Sequence, residues 1–129
     1  MSEINLKEIV EKLIDTFLFA GKLYLELREK GLVKKIKSDN TPVSNGDIEV
    51  NKVLTNKIKN LTPDIPIVSE ETSDNKLIKN LKNFWLIDPI DGTYDYINDL
   101  DEFTINAGLI IDKTPVAGLI FAPAKDRMF

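Results

Sequence analysis

Two spacings organise the apolar positions of this chain. Over residues 6–30, Leu6, Val10, Leu13, Phe17, Ala20, Tyr24 and Leu27 recur every three or four positions, which draws one apolar stripe along a helix. Asn5 with Glu8 three residues on resembles a capping box, and Gly31 is placed to stop the helix. The stripe reads as core, with no catalytic role. The same spacing returns at Val50, Leu54, Ile58 and Leu61, behind Ser44 as N-cap and Asp47 at the third helical position, and ends at Thr62-Pro63. The second spacing is two. Phe103, Ile105, Ala107, Leu109 and Ile111 fall on one face of a strand. A turn at Asp112-Lys113-Thr114 leads into a partner strand over residues 115–121, and after a further turn residues 127–129 begin another. Residues 32–36 read as a strand and residues 37–42 as a polar loop containing Asn40-Thr41-Pro42. A polar link follows Glu71, and Leu77 and Leu81 suggest a short helix. The expected architecture is α+β, with two long helices packed on an antiparallel sheet.

Two short unbroken apolar runs, residues 65–68 and 84–87, read as buried strands, and both end in acids. The first runs into Ser69-Glu70-Glu71. The second runs into Asp88-Pro89-Ile90-Asp91-Gly92-Thr93, where Pro89 is expected to end the strand at Asp88 and Asp91-Gly92 to turn. A short helical turn should then extend from Thr93 through Ile97. If the two strands lie side by side, four carboxylates converge. Such a cluster calls for cations, and hard cations such as Mg²⁺ take oxygen ligands.

Composition narrows the chemistry. The 129 residues suit one domain, with 43% hydrophobic and 29% charged positions. A net charge of −4, with no block of Lys or Arg, argues against nucleic acid as a partner. There is no cysteine and no histidine, so disulfides, thiolate or imidazole zinc sites and Ser-His-Asp or Cys-His catalysis are excluded. No apolar run reaches the roughly 18 residues of a membrane span, and no signal peptide is evident, so the expected location is cytoplasmic.

Phosphoryl transfer can proceed with carboxylates, hydroxyls and bound ions alone. Asp88 and Asp91 can each hold a different ion and Glu70 can share one, with the Ile90 carbonyl as a further oxygen ligand. Gly92 lets the backbone approach a phosphate, and the Thr93 hydroxyl can orient a water. Taken alone, Asp47 reads as a capping acid in the first turn of its helix. A haloacid-dehalogenase-type site is rejected, because it needs one residue between its two acids and here Pro89 and Ile90 intervene.

Asp-Pro-Ile-Asp-Gly-Thr at 88–93, behind Trp85-Leu86 and the Ser69-Glu70-Glu71 strand end, resembles the lithium-sensitive, Mg²⁺-dependent phosphatases of the inositol monophosphatase superfamily. The segments at 37–43 with Asp47, 62–71, 102–110 and 121–123 resemble most closely its bacterial 3′(2′),5′-bisphosphate nucleotidase branch. The resemblance implies that Glu70, Asp88, the Ile90 carbonyl and Asp91 bind two or three Mg²⁺ ions, with Glu71 a supporting acid beside them. It implies that Asp47 and Thr93 activate the attacking water, that the Gly92 and Thr93 amides hold the phosphate, and that Glu70 and Asp91 also face the substrate. The implied reaction removes the 3′(2′)-phosphate of adenosine 3′(2′),5′-bisphosphate, a step in sulfur metabolism. Inositol-1-phosphate or a related sugar phosphate is the alternative substrate. The resemblance further allows a homodimer and a peripheral place on the inner face of the cell membrane.

The chain departs from the branch at Tyr94-Asp95-Tyr96, where Lys-Glu-Phe is usual, and at Asn45-Gly46, where two small residues are usual. Residues 1–129 are expected to be an N-terminal metal-binding α+β domain, with the C-terminal α/β domain of full-length members beyond Phe129. A chain stopping inside an apolar run is expected to be a fragment that hydrolyses phosphate esters poorly.

Overall fold

The computed structural model describes residues 5–36, 42–69 and 81–129. Helix α1 spans Leu6–Lys30, as the periodicity requires. The Asn5 side chain accepts from the Glu8 amide, and Gly31 ends the helix at φ 98°. The buried line is Ile9, Leu13, Phe17, Ala20, Gly21 and Tyr24. Leu6 is 37% exposed, and Val10 and Leu27 are half-buried. Leu13, Phe17, Ala20 and Tyr24 of the expected stripe are thus buried, while Ile9 and Gly21 are buried in place of Leu6, Val10 and Leu27.

Strands β1 (Lys34–Ile36) and β2 (Pro42–Ser44) form an antiparallel ribbon. Pro42 therefore belongs to a strand, not to the polar loop the sequence suggests. Helix α2 spans Asn45–Leu61 and starts with a complete capping box: the Asp47 amide donates to Ser44 Oγ, and the Asp47 carboxylate accepts from the Ser44 amide. Val50, Leu54 and Ile58 are its buried stripe.

The main sheet has the order β3-β4-β5-β6-β7, from Ile67–Ser69, Phe84–Asp91, Thr104–Ile111, Thr114–Ala122 and Arg127–Met128. The expected antiparallel pairing holds from β4 to β7, while β3 joins β4 in parallel, so the sheet is mixed. Helix α1 packs on α2 and β6, and α2 packs on β4. Both helices thus cover one face, where Trp85, Ile87, Ile105, Ala107, Leu109, Leu119 and Phe121 join the core. On the opposite face Leu86 is 50% exposed. The hairpin between β5 and β6 places both Asp112 and Lys113 at positive φ, the geometry that fits the twist of a tight hairpin. The short helix expected around Leu77 lies outside the described residues.

Candidate active site

Strand β4 does not stop at Asp88; it continues through Pro89 and Ile90 to Asp91. Asp88 pairs with Asn106 and Asp91 with Thr104, so two residues of β4, Pro89 and Ile90, oppose Ile105 alone. This is a β-bulge, a place where proline is tolerated because the ladder is already interrupted. Its effect on side-chain direction is decisive. Residues three apart normally point to opposite faces of a sheet, but one extra residue restores the phase. Asp88 and Asp91 therefore share the face that the helices leave uncovered, while Pro89 and Ile90 are buried.

The parallel β3–β4 pair sets Ser69 beside Ile87, the residue before Asp88. The end of β3 at Ser69 thus lies one residue short of the level of Asp88. Glu70 and Glu71 themselves lie outside the described residues. Among the described residues no three carboxylates cluster in a metal cage by themselves. What β4 offers is a pair: Asp88, whose Oδ1 is buried, and Asp91, which is exposed. With the nearby backbone carbonyls this is an all-oxygen donor set suited to a hard cation, and a buried carboxylate charge is best tolerated where a cation can balance it.

After β4 the chain turns at Gly92, in the left-handed region at φ 94° and ψ 42°, and enters the short helix α3 (Thr93–Ile97). A Cβ on Gly92 would lie 3.2 Å from the Phe103 Cα and 3.3 Å from the Glu102 carbonyl oxygen. Only glycine suits both the backbone angle and that approach. The turn delivers Thr93 to Asp47: the Thr93 hydroxyl donates to Asp47 Oδ1 at 3.1 Å. Asp47 is 1% exposed, and its Oδ2 accepts from the Ser44 amide at 2.8 Å and the Ser44 hydroxyl at 2.5 Å. Ser44 thus fixes the carboxylate and leaves Oδ1 to Thr93. One aspartate is both the cap of α2 and the partner of a threonine 46 residues later.

Several residues that hold this arrangement were not singled out from sequence. The Tyr24 hydroxyl donates to the Pro89 carbonyl inside the bulge at 2.5 Å. The Tyr96 hydroxyl donates to the Tyr24 carbonyl at 2.7 Å, and Tyr24, Tyr96 and Phe103 meet edge to face. A Cβ on Gly46 would come within 2.8 Å of the Tyr96 ring, so the small residue before Asp47 admits that ring. Arg28 stacks over Tyr96 and Phe103 and donates to the Leu100 carbonyl at 2.7 Å, tying α1 to the segment after α3. The signal available in sequence was that a tyrosine in a core stripe must find a partner for its hydroxyl.

Burial raises the Tyr96 phenol well above its ordinary value near 10, and the Asp47 charge adds to this while Arg28 opposes it. Between the unfolded and folded values the unfolded chain holds fewer protons, so stability falls as pH rises. The Tyr96 contribution is therefore complete below about pH 9 and declines above about pH 10. Melting curves of wild type and Tyr96→Phe across alkaline pH should converge above that point; a constant gap contradicts it.

The sequence and the fold are similar to those of known proteins. The model of the inositol monophosphatase family matches residues 5–129. The 3′(2′),5′-bisphosphate nucleotidase CysQ of Haemophilus influenzae is 39% identical over 106 residues, covering 81% of this chain and 39% of that protein. The protein of the same name from Buchnera aphidicola is 32% identical over 126 residues, covering 95% and 48%. The crystal structure of CysQ from Bacteroides thetaiotaomicron superposes with a TM-score of 0.73 at 31% identity, over 96% of this chain and 46% of that one. The chain thus spans less than half the length of these relatives. No helix among the described residues is long and apolar enough to cross a membrane. With the family model matched almost from end to end, the chain belongs to the inositol monophosphatase family.

Proposed function

We propose that this chain carries the cation-binding part of a Mg²⁺-dependent phosphomonoesterase that acts on adenosine 3′(2′),5′-bisphosphate. The observation that carries the reading is the bulge that turns Asp88 and Asp91 to one face, at the same end of β4 as the Thr93–Asp47 hydrogen bond. The substrate follows from relatives 32% and 39% identical that are named as bisphosphate nucleotidases. Glu70, Asp88, the Ile90 carbonyl and Asp91 would hold the ions, two or three in number, with Glu71 supporting them. Bound there, Mg²⁺ would neutralise phosphoryl charge and acidify a water.

The chain's own residues then divide the remaining work. Thr93 donates its hydrogen to Asp47 Oδ1, which leaves its oxygen lone pairs to accept from a water. As the water oxygen bonds to phosphorus, its proton passes to Thr93 Oγ1 and the Thr93 proton to Asp47 Oδ1; the bond from phosphorus to the ester oxygen breaks, that oxygen takes a proton from a solvent water and leaves as the nucleoside hydroxyl, and Asp47 returns its proton to solvent. Ser44 keeps Asp47 oriented throughout. The Gly92 and Thr93 amides would bind the phosphate, and the exposed Asp91 would face it. We place residues 1–129 as a metal-binding α+β domain. A cytoplasmic location, a peripheral membrane association and a homodimer belong to the same proposal.

The test is phosphate release by the intact protein from adenosine 3′,5′-bisphosphate, inositol monophosphate and fructose bisphosphate, with and without Mg²⁺. The nucleotide should have the highest kcat/KM, and chelation should abolish turnover. A preference for inositol monophosphate would replace the substrate but keep the reaction. Turnover that survives chelation would reject the metal-dependent reading.

A further inference from the structure

We propose that Tyr24 is a positioning residue for the cation site, its hydroxyl holding the bulge at the geometry from which Asp88, Ile90 and Asp91 reach the ion. The inference rests on the metal reading above and names a residue that carries none of the ligands. A bulge leaves one residue outside the regular ladder, and here it falls within Pro89–Ile90, where the register against β5 shifts. The ring of Pro89 already sets its φ, and ψ is the freedom that remains. That angle aims the Pro89 carbonyl, and the Tyr24 hydroxyl grips this carbonyl from α1, in the interior and 65 residues away in sequence. Asp88 precedes the gripped peptide, and Ile90 and Asp91 follow it.

Tyr24 can act as a fixed post because it is itself immobilised. Its ring centroid lies 5.1 Å from that of Tyr96 and 6.0 Å from that of Phe103, and its own carbonyl accepts from Tyr96. Mg²⁺ demands near-octahedral geometry, so a small rotation of the bulge peptide should be felt as lost affinity. A tyrosine that only filled the core would satisfy its hydroxyl on any carbonyl. This one uses the carbonyl between the two aspartates.

Calorimetric titration of the intact protein with Mg²⁺ tests the proposal. Tyr24→Phe should weaken Mg²⁺ binding roughly tenfold, the size expected when a residue supporting metal ligands is lost, with KM for the nucleotide changed by less than about twofold. Thr62→Val serves as the control. It strips Trp85 Nε1 of an acceptor at 2.8 Å, at the end of α2 remote from Asp47. It should lower the melting temperature comparably and leave Mg²⁺ affinity within about twofold of wild type. Unchanged affinity in Tyr24→Phe, or equal losses in both variants, overturns the proposal. A wild-type protein that binds no Mg²⁺ overturns the metal reading itself, and this inference with it. Should Tyr24→Phe not fold, wild type labelled with ¹³C at tyrosine Cζ carries the test. The Tyr24 resonance should shift with the midpoint of Mg²⁺ binding, and a stationary resonance overturns the proposal.

Discussion

Asp88→Asn should abolish Mg²⁺ binding and phosphate release, while the metal-free protein melts within about 5 °C of wild type. Asparagine keeps the shape of the side chain and one acceptor oxygen but removes its charge. Two unit charges 4 Å apart interact by about 4 kcal/mol at an effective dielectric of 20, and a divalent partner doubles this. Losing one ligand charge therefore costs three or more decades in affinity, at about 1.4 kcal/mol per decade. The metal-free fold feels the opposite effect, since Asp91 shares the same face of β4 and like charges are relieved. Thermal shift separates the two. A hundredfold excess of Mg²⁺ over Kd stabilises wild type by about 2.7 kcal/mol, and the variant should gain nothing. A variant that still melts higher with Mg²⁺ contradicts the assignment.

Thr93→Val should lower kcat roughly 10²- to 10⁴-fold with little change in KM, the loss typical of a proton-transfer partner. Valine has nearly the volume of threonine, so the change removes the hydroxyl and its 3.1 Å bond to Asp47 while the turn at Gly92 stays in place. Thr93→Ser should retain most of the turnover. Asp47→Asn should fall as far as Thr93→Val, and the double variant no further than the worse single one, because two groups on one proton path act as a unit. Additive losses in the steady-state rates would mean that the two act independently, and the pairing would be abandoned.

The helices were legible because their signals are local. Asn5 and Gly31 bracket α1, and Ser44 with Asp47 starts α2, all within one or two turns of chain. The exact buried line of α1 was not, because Ile9 is chosen over Leu6 by what packs against the helix. Strand β2 is three residues long, too short for any period to register, and its partner lies across residues 37–41. The larger miss was at Pro89. In sequence, a proline between two aspartates reads equally as a strand end or as a bulge, and only the register against Asn106 and Thr104 separates them. That distinction matters for the site, since a true strand end carries no rule about which way Asp91 faces. The Asp47–Thr93 pair was reached through a family resemblance; its local spacing spoke only for the cap. Tyr24 and Pro89 are brought together by the packing of α1 on the sheet, which no local pattern encodes.

The hairpin at Asp112 and Lys113 has a practical consequence. Strand β5 runs eight residues from Thr104, opposite Asp91, to Ile111 at the tip, which sets that tip roughly 25 Å from the carboxylates. The Lys113 amide donates to the Lys82 carbonyl at 2.9 Å, a backbone contact indifferent to the side chain. The chain contains no cysteine. A single thiol introduced at Lys113 would thus be the sole thiol attachment point for a fluorophore or spin label within these 129 residues, outside the chemistry yet in the turn that follows the strand flanking it.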